Sequence, residues 1–404
     1  MTGTAIAQAI SYLISPILTR IYTPEEMGDL GMYIRLVGFF SAFATLRYEL
    51  ALPLPKHDSH SYLLYRLALR TSYYFLAGIS VIGFIYLASI SFAWNQTIFA
   101  LITIVSTFFL VFTNLGTNWA IRTKQFGKIS NSRIINSSVA NGLKLGFGYL
   151  NWGSIGLIFA SLVGYIFSSI TFIQEYFRTK QTHLASHSKR KTTVLIKEYR
   201  DFPLINLPHV LTDLGRDLLV ALLIVLFFSK EIFGYYSHAY AMLRLPLILI
   251  GSSISQVLLH KCAEMRNDGE SIYGIVFSTV RILFLLSIVP FTLIFFFGTP
   301  LFSVVFGEIW AESGKYAEIM SLWMIGSFIT STISAIPTIL KKQKQFFYLG
   351  LASSSVHLFN FGILPLIIGT SGDAFHFILW ATTITQLLLS IVMLVYILWI
   401  AKRG

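Results

Sequence analysis

Residues 178–200 read RTKQTHLASHSKRKTTVLIKEYR and form the only long, strongly basic segment of the chain, close to its midpoint. Seven of these residues are cationic: Arg178, Lys180, Lys189, Arg190, Lys191, Lys197 and Arg200. A segment this charged cannot enter hydrocarbon, so we predict an aqueous loop. Because Lys and Arg accumulate on the cytoplasmic side of membrane proteins, we expect the loop in the cytoplasm. This assignment orients the apolar sequence on both sides of it.

The composition indicates a polytopic membrane protein. Of 404 residues, 55% are hydrophobic and only 12% are charged, whereas about a quarter are charged in a soluble domain. The net charge of +12 does not indicate nucleic-acid binding, since the basic residues lie in short loops between apolar spans. Cys262 is the only cysteine, which excludes an intramolecular disulfide and a cysteine-based metal site, and we expect no metal or cofactor.

The first apolar segment has no basic region before it, so we expect it to be retained rather than cleaved as a signal peptide. Its abrupt start leaves open a longer natural N-terminus. Requiring roughly 17 to 25 mostly apolar residues per span predicts an all-α protein with twelve membrane spans. They lie at 3–19, 30–46, 71–91, 98–118, 134–150, 156–177, 203–227, 235–257, 272–297, 316–339, 346–368 and 375–400.

The distribution of charge supports this topology. The predicted cytoplasmic loops and tail hold 22 of the 30 Lys and Arg residues, while the outer connections hold only Arg20, Lys230 and Lys315. The even number of spans places both termini in the cytoplasm. We therefore predict an N-terminal six-helix lobe at 1–177, a basic cytoplasmic linker at 178–202 and a C-terminal six-helix lobe at 203–404.

A short repeat follows the first and the seventh span. The two copies are TPEEMG at 23–28 and SKEIFG at 229–234. When Gly28 is aligned with Gly234, each copy has a hydroxyl residue, a glutamate and a bulky apolar residue at the same positions before the glycine. Because both copies follow odd-numbered spans of six-helix halves, they indicate parallel repeats, which is a transporter architecture with its site near the membrane midplane. We predict two lobes related by pseudo-twofold symmetry around a central cavity.

Ionisable residues inside spans usually face a protein interior and serve a site. The densest group is Asp213, Arg216 and Asp217, whose spacings of three and four residues place them on one helix face. Two interpretations stay open. The group either neutralises itself and braces the bundle, or Arg216 binds an anion while one aspartate, its pKa raised by the other, carries a proton or sodium ion.

Four other spans carry one cation each, and a snorkelling or helix-pairing role is open for every one of them. They are Arg35, Lys144, Arg244 and Arg281. If all five cations and the two aspartates line one cavity, its net charge is +3, which suits a phosphate-bearing substrate. Four asparagines are predicted either to hydrogen-bond between helices or to bind sugar: Asn114, Asn118, Asn136 and Asn141. Residues 298–316 are predicted to form an outer amphipathic helix.

Catalytic signatures are absent from the sequence. It contains no GxxxxGK[ST], HExxH or GxSxG motif, and no loop is large enough to form a catalytic domain. We therefore predict no enzymatic activity and no catalytic residues, with an ion gradient or the substrate gradient as the energy source.

Residues 15–28, SPILTRIYTPEEMG, resemble the N-terminal signature of the Wzx-type flippases. These are the O-antigen and polysaccharide translocases of the multidrug/oligosaccharidyl-lipid/polysaccharide exporter superfamily. The resemblance continues in RYELALP at 47–53, YRDFP at 199–203 and GYYSHAY at 234–240, and covers the whole chain. The chain departs from the family pattern in lacking a polar leader before the first span.

The resemblance implies a function in lipopolysaccharide and polysaccharide biosynthesis. The implied substrate is an undecaprenyl-diphosphate-linked oligosaccharide, moved from the cytoplasmic to the periplasmic leaflet of the bacterial inner membrane by antiport with H⁺ or Na⁺. By position, the family's diphosphate-binding role falls on Arg20 and Arg35. Candidate partners are the O-antigen polymerase and the chain-length regulator, and no nucleic acid is expected.

Two alternatives remain open. A multidrug exporter of the same superfamily would usually favour organic cations, which a +3 cavity repels. A membrane O-antigen polymerase or ligase typically has a large outer loop, whereas the longest polar loop here is predicted inside.

Overall fold

The computed structural model describes residues 2–89, 94–182 and 189–403. The predicted basic loop falls partly on residues 183–188, which lie outside these ranges. Within the described ranges the regular structure is helical throughout, and no strand occurs.

The first half of the chain forms eight helices up to the seventh predicted span. They are α1 (Thr2–Ile21), α2 (Pro24–Ala44), α3 (Asp58–Ser89), α4 (Trp94–Arg122), α5 (Phe126–Tyr149), α6 (Gly153–Thr182), α7 (Lys189–Glu198) and α8 (Leu207–Phe227). The second half continues with α9 (Lys230–Leu243), α10 (Ser252–Asn267), α11 (Tyr273–Phe306), α12 (Ala311–Thr332), α13 (Ile336–Ile339), α14 (Gln343–Gly362), α15 (Leu364–Ile368) and α16 (Gly372–Arg403).

Eight helical segments of the described chain are long and apolar enough to cross a membrane. They correspond to α1, α3, α4, α6, α11, α12 with α13, α14 with α15, and α16. The other four predicted spans lie in α2, α5, α8 and the interrupted pair α9 and α10. These four contain Arg35, Lys144, Arg216 with its two aspartates, and Arg244. Because such side chains avoid hydrocarbon, these are the helices expected to turn a polar face towards the protein interior.

The chain forms two compact units. The first contains Met1–Tyr22 and Asp29–Leu218, and the second contains Thr23–Gly28 and Leu219–Gly404. In the first unit α5 packs against α1 and α6, and α4 packs against α6. In the second unit α12 packs against α9, α11 and α16. The units divide within α8, and the lobe limits expected at 1–177, 178–202 and 203–404 stay a prediction.

The two glycines of the repeat contact each other's helix inside the second unit. A Cβ atom at Gly28 would overlap the carbonyl oxygen of Lys230, and one at Gly234 would overlap that of Pro24. Pro24 and Lys230 each lie four residues before the glycine of their own copy. The contact is therefore reciprocal, as between copies related by a two-fold axis, and it supports the alignment of Gly28 with Gly234. Only glycine allows two helix backbones to approach this closely.

The outer amphipathic helix predicted at 298–316 is wrong. Helix α11 runs on to Phe306, with a kink at Phe297, and Gly307 turns the chain at a φ of 108° into α12. Phe306 and Trp310 are buried, and each ring centroid lies 4.6 Å from that of His238. The aromatic stripe therefore packs in the core. The prediction failed because an apolar stripe of helical spacing has the same sequence pattern at a membrane surface and in a protein core.

The RYELALP segment forms a buried turn between α2 and α3. Arg47 adopts a left-handed conformation with a φ of 61°, and Tyr48–Ala51 form one 3₁₀ turn. Arg47 Nη1 lies 3.0 Å from Glu49 Oε1, and the Glu49 side chain is 3% exposed. Burial raises the pKa of Glu49 above its ordinary value of 4.5, and the Arg47 charge opposes that rise.

Replacing Glu49 with Gln is expected to remove a pH dependence of stability. An acid whose pKa is higher in the folded protein contributes stability below its unfolded pKa, and that contribution is lost as pH rises through the folded value. We subtract the thermal unfolding midpoint of Glu49→Gln from that of the wild type. This difference should fall as the pH rises above about 4.5. Thermal unfolding of purified protein across pH measures this difference. The exposed Glu270→Gln serves as control, and a Glu49 difference that is flat or rises with pH would contradict the argument.

Candidate functional site

Helix α5 carries a polar stripe along one face. Arg133, Asn136, Ser137, Asn141 and Lys144 recur at intervals of one to four residues, so they share a face of the helix. Because α5 lies between α1 and α6, this face meets protein rather than lipid. The helix is too polar to meet the hydropathy of a typical span, and the stripe explains why.

The stripe lines a cavity of about 630 Å³ inside the first unit. Helices α1, α2, α4, α5 and α6 all contribute to its wall. Most of the lining side chains carry hydroxyl or amide groups, and the larger ones are Gln8, Tyr12, Asn114, Asn136, Asn141 and Tyr165. Among the described lining residues, Arg133 and Lys144 are charged and none is a carboxylate. The cavity is therefore polar and positively charged.

Hydrogen bonds between neighbouring helices fix the wall formed by α1 and α5. Asn141 Nδ2 donates to Ser11 Oγ at 3.0 Å, and Ser137 Oγ donates to the carbonyl oxygen of Ala7 at 2.6 Å. Ser11 Oγ and Ser137 Oγ are also 2.9 Å apart. These bonds hold the amide of Asn141 at the cavity surface in a defined orientation.

The asparagines predicted to bond between helices do so at three of four positions. Besides Asn141, Asn114 Nδ2 donates to Ser41 Oγ on α2 at 2.9 Å, and Asn136 Nδ2 donates to Ser168 Oγ on α6 at 3.4 Å. Asn118 donates instead to the carbonyl oxygen of Asn114 within α4. Three of these residues also line the cavity, so sugar contact by them stays a prediction.

Lys144 lies in the last two turns of α5, where the hydroxyl of Tyr22 donates to its backbone carbonyl oxygen at 2.7 Å. Across residues 2–89, 94–182 and 189–403, its ammonium group has no carboxylate within 4.0 Å and no hydrogen-bond partner. A cation inside a membrane protein is costly unless it has a counter-charge or water. Anion binding by Lys144 stays a prediction, and the absence of a described counter-charge is consistent with it.

Arg133 is the second cation of the cavity, and it donates from Nη1 to Thr4 Oγ1 on α1. It lies eleven residues before Lys144, which corresponds to about 16 Å along the helix axis. The two positive charges therefore lie at different depths in the same cavity.

The three charged residues of α8 form one cluster, as their spacing predicts. Arg216 donates from Nε and Nη2 to Asp217 Oδ1 at 3.2 and 2.9 Å, and its Nη1 lies 3.9 Å from Asp213 Oδ1. Asp213 is the most exposed of the three, at 62%. Phe39 of α2 lies 3.7 Å from the position that a Cβ atom of Gly215 would occupy. Helix α2 therefore packs against α8 beside this cluster.

The α8 cluster and the remaining predicted residues are not among the described residues that line the cavity with Lys144. Arg20 is exposed at the end of α1, and Arg35 donates from Nη1 to the carbonyl oxygen of Gly31 at 3.0 Å. Both belong to the first unit. In the second unit Arg244 is exposed and lies 5.2 Å from the centre of the Tyr240 ring, and Arg281 is exposed on α11. A single site shared by all of these residues stays a prediction.

Several residues of the cavity were not predicted from the sequence, chiefly Gln8, Tyr12, Arg133 and Tyr165. Arg133 was counted with a cytoplasmic loop, whereas α5 begins at Phe126 and includes it. The available signal was its spacing from Asn136 and Asn141, which places it on the face that carries Lys144.

Comparisons with known proteins identify the family and the fold of the chain. The model of a family described as "Polysaccharide biosynthesis protein" matches residues 17–315. The chain belongs to this family. The comparison with curated proteins gave no match.

Solved structures similar to this polysaccharide biosynthesis protein are transporters of the MOP superfamily and a flippase. An inward-facing multidrug resistance MATE family transporter has a TM-score of 0.69 at 13% identity, covering 98% of this chain and 96% of its own. The lipid II flippase MurJ, in an inward closed conformation, has a TM-score of 0.73 at 16% identity, with coverages of 100% and 88%. A MOP superfamily transporter from Pyrococcus furiosus has a TM-score of 0.63 at 12% identity, with coverages of 100% and 95%.

At these identities the similarity establishes the fold alone. The family member is a multi-pass membrane protein with the all-α, twelve-helix, two-lobe fold of these structures, as predicted. The resemblance to the polysaccharide flippases of this superfamily is confirmed at the level of family and fold.

Proposed function

We propose that this polysaccharide biosynthesis protein is a flippase for undecaprenyl-diphosphate-linked oligosaccharide, an O-antigen or related repeat unit. It moves this lipid from the cytoplasmic to the periplasmic leaflet of the bacterial inner membrane. The observation that carries the proposal is the cavity of the first unit, whose described lining holds the cations Arg133 and Lys144 and no carboxylate. A diphosphate linker is the part of such a substrate that requires positive charge.

The cavity suits the two polar parts of this substrate. Lys144 attracts the diphosphate by its uncompensated charge. The amides of Asn114 and Asn141 and the hydroxyls of neighbouring residues offer both donors and acceptors to sugar hydroxyl groups. The rings of Tyr12 and Tyr165 offer apolar faces to the sugar rings. The prenyl chain needs no polar site and remains in lipid.

A multidrug exporter of the same superfamily is the second candidate, and the charge of the cavity argues against it. Organic cations would meet two positive charges and, in the part of the lining that the structure describes, no carboxylate. The family description, which names polysaccharide biosynthesis, also favours the glycan substrate. One of the similar structures is itself described as a lipid II flippase.

In this proposal, the aspartates of α8 bind the coupling ion. Asp217→Asn is expected to weaken the response of translocation to a proton or sodium gradient, because the variant cannot bind or release a proton and carries no charge for sodium. The measurement is the rate of lipid-linked glycan translocation in everted vesicles, with and without each imposed gradient. Asp268→Asn, in an exposed turn, is the control. An unchanged gradient response in Asp217→Asn would assign this aspartate a structural role.

The sidedness of the lipid-linked glycan in cells lacking the protein tests the proposed function. A membrane-impermeant sugar label is applied to intact spheroplasts and to opened ones. We expect complete repeat units to accumulate and to be labelled only after opening, and reintroduction of the wild-type gene to restore labelling in intact spheroplasts. Single repeat units already labelled in intact spheroplasts would contradict a flippase and favour a later polymerase or ligase step.

A further inference from the structure

We propose that the first unit binds the headgroup of an anionic phospholipid in a groove between the start of α3 and helix α7. The groove has a volume of about 880 Å³, and residues of α3, α6 and α7 line it. It shares no lining residue with the cavity that holds Lys144. This lipid site is separate from the proposed transport of glycan.

The groove carries positive charge from two arginines one helical turn apart, Arg66 and Arg70, and none of its described lining residues is a carboxylate. In the described parts of the chain, the half-buried Arg66 forms no ion pair and no hydrogen bond. Arg70 donates from Nε and Nη2 to the hydroxyl of Tyr74 at 3.2 and 3.1 Å, which orients its guanidinium group. Arginine binds phosphate oxygens through paired hydrogen bonds, so two adjacent guanidinium groups match a phosphodiester.

The order of residues along α3 places these arginines at headgroup depth. Tyr73 and Tyr74 follow directly and are exposed, and they are succeeded by the exposed apolar side chains of Val81, Ile82, Phe84 and Ile85. Along α3, charged side chains are followed by aromatic ones and then by aliphatic ones. This is the order of side chains that suits the lipid headgroups, the membrane interface and the hydrocarbon core. The distance from Arg70 to Val81 is about 16 Å along the helix. A lipid with its phosphate at Arg70 would therefore lay its acyl chains along the apolar part of α3.

Helix α7 forms the other side of the groove and has the features of an interfacial helix. Leu195 is buried against the core formed by Tyr62, Tyr65 and their neighbours, which fixes the helix to the first unit. Val194 and Ile196 are exposed apolar side chains beside the cations of the same helix, among them Arg190 and Lys197. Amphipathic helices of this composition lie in the membrane surface, and clusters of basic residues next to spans attract anionic lipids.

The wall of the groove favours a lipid over a soluble anion. Leu63, Leu67 and Ile196 supply apolar surface beside the two arginines. Inorganic phosphate would leave that surface exposed to water, whereas the glycerol and upper acyl carbons of a phospholipid would cover it. Charge and apolar surface together match a phospholipid with a net negative headgroup.

Native mass spectrometry of the purified full chain with added phosphatidylglycerol or phosphatidylcholine tests the site. We expect the wild type to retain phosphatidylglycerol in preference to phosphatidylcholine. Arg66→Gln with Arg70→Gln should weaken phosphatidylglycerol binding roughly 25-fold, about fivefold for each basic residue near the membrane surface. The matched control is Lys341→Gln with Lys342→Gln, which removes the same charge from an exposed turn and should leave binding unchanged.

A second double variant distinguishes an effect of lost charge from an effect of misfolding. Arg66→Lys with Arg70→Lys keeps both charges and should retain most of the phosphatidylglycerol binding. Equal phosphatidylglycerol retention by the glutamine variant and the wild type would overturn the proposal. Displacement of phosphatidylglycerol by inorganic pyrophosphate would also overturn it, since the site would then bind any soluble anion. Preferential binding of undecaprenyl phosphate would overturn it as well, because the groove would then belong to the transported lipid.

Discussion

Gly234→Leu is expected to abolish assembly of the second unit and, with it, all glycan export. A Cβ atom at Gly234 would overlap the carbonyl oxygen of Pro24, and it would lie 3.2 Å from the Pro24 Cα atom. These are backbone atoms at the start of α2, so no rotamer change relieves the overlap. The two helix N-termini must move apart, and overpacking of an interior by even small groups costs about 1 to 3 kcal/mol. A leucine side chain adds three more carbon atoms beyond Cβ, so we expect its cost in stability to be larger than this.

The measurement is the amount of monodisperse protein recovered from membranes, together with export of surface glycan. Gly350→Leu is the matched control in the same unit, because a Cβ atom at Gly350 meets nothing within 4 Å. Gly28→Leu should reproduce the defect, since its Cβ atom would overlap the carbonyl oxygen of Lys230. Equal recovery of Gly234→Leu and Gly350→Leu would show that the two helix backbones are not held at this contact.

The sequence was sufficient for the fold because the signals of a membrane protein are local. Apolar length and the placement of Lys and Arg predicted the spans, and the repeat aligned Gly28 with Gly234, whereas their contact is known only from the structure. The helix at 298–316 was misplaced because an apolar stripe does not distinguish a membrane surface from a protein core. His238, distant in sequence, supplies the partner that settles this case for Phe306 and Trp310.

The site was only partly predictable for a related reason. Lys144 was identified because a charge inside a span is unusual, whereas Arg133 was assigned to a loop by the same counting of charges. Gln8 and Tyr12 carry no signal of their own, since uncharged polar residues are tolerated in most spans. Their place in the cavity depends on α1 packing against α5, which is a tertiary contact that a single sequence does not specify.

Arg216→Gln is expected to abolish glycan translocation while the protein still inserts in the membrane. Arg216 is the cation of a cluster with two carboxylates, bonded to Asp217 at 2.9 Å and lying 3.9 Å from Asp213. Removing it takes away the cation between two aspartates, whose negative charges repel an anionic diphosphate. The loss of one partner from a hydrogen-bonded charge pair at a binding site typically weakens binding by roughly 100-fold or more. The sidedness assay, normalised to the amount of inserted protein, measures the effect.

A double variant distinguishes anion binding by Arg216 from bracing of the bundle. Arg216→Gln with Asp217→Asn removes one charge of each sign and leaves a neutral hydrogen-bonding pair. If the cluster only braces the helices, the single variant should lower the amount of inserted protein, and the double variant should restore both that amount and translocation. If Arg216 binds the diphosphate, insertion should be normal in both variants and translocation absent from both, since neither supplies a cation. Wild-type translocation by the single variant would contradict the anion role of Arg216 directly.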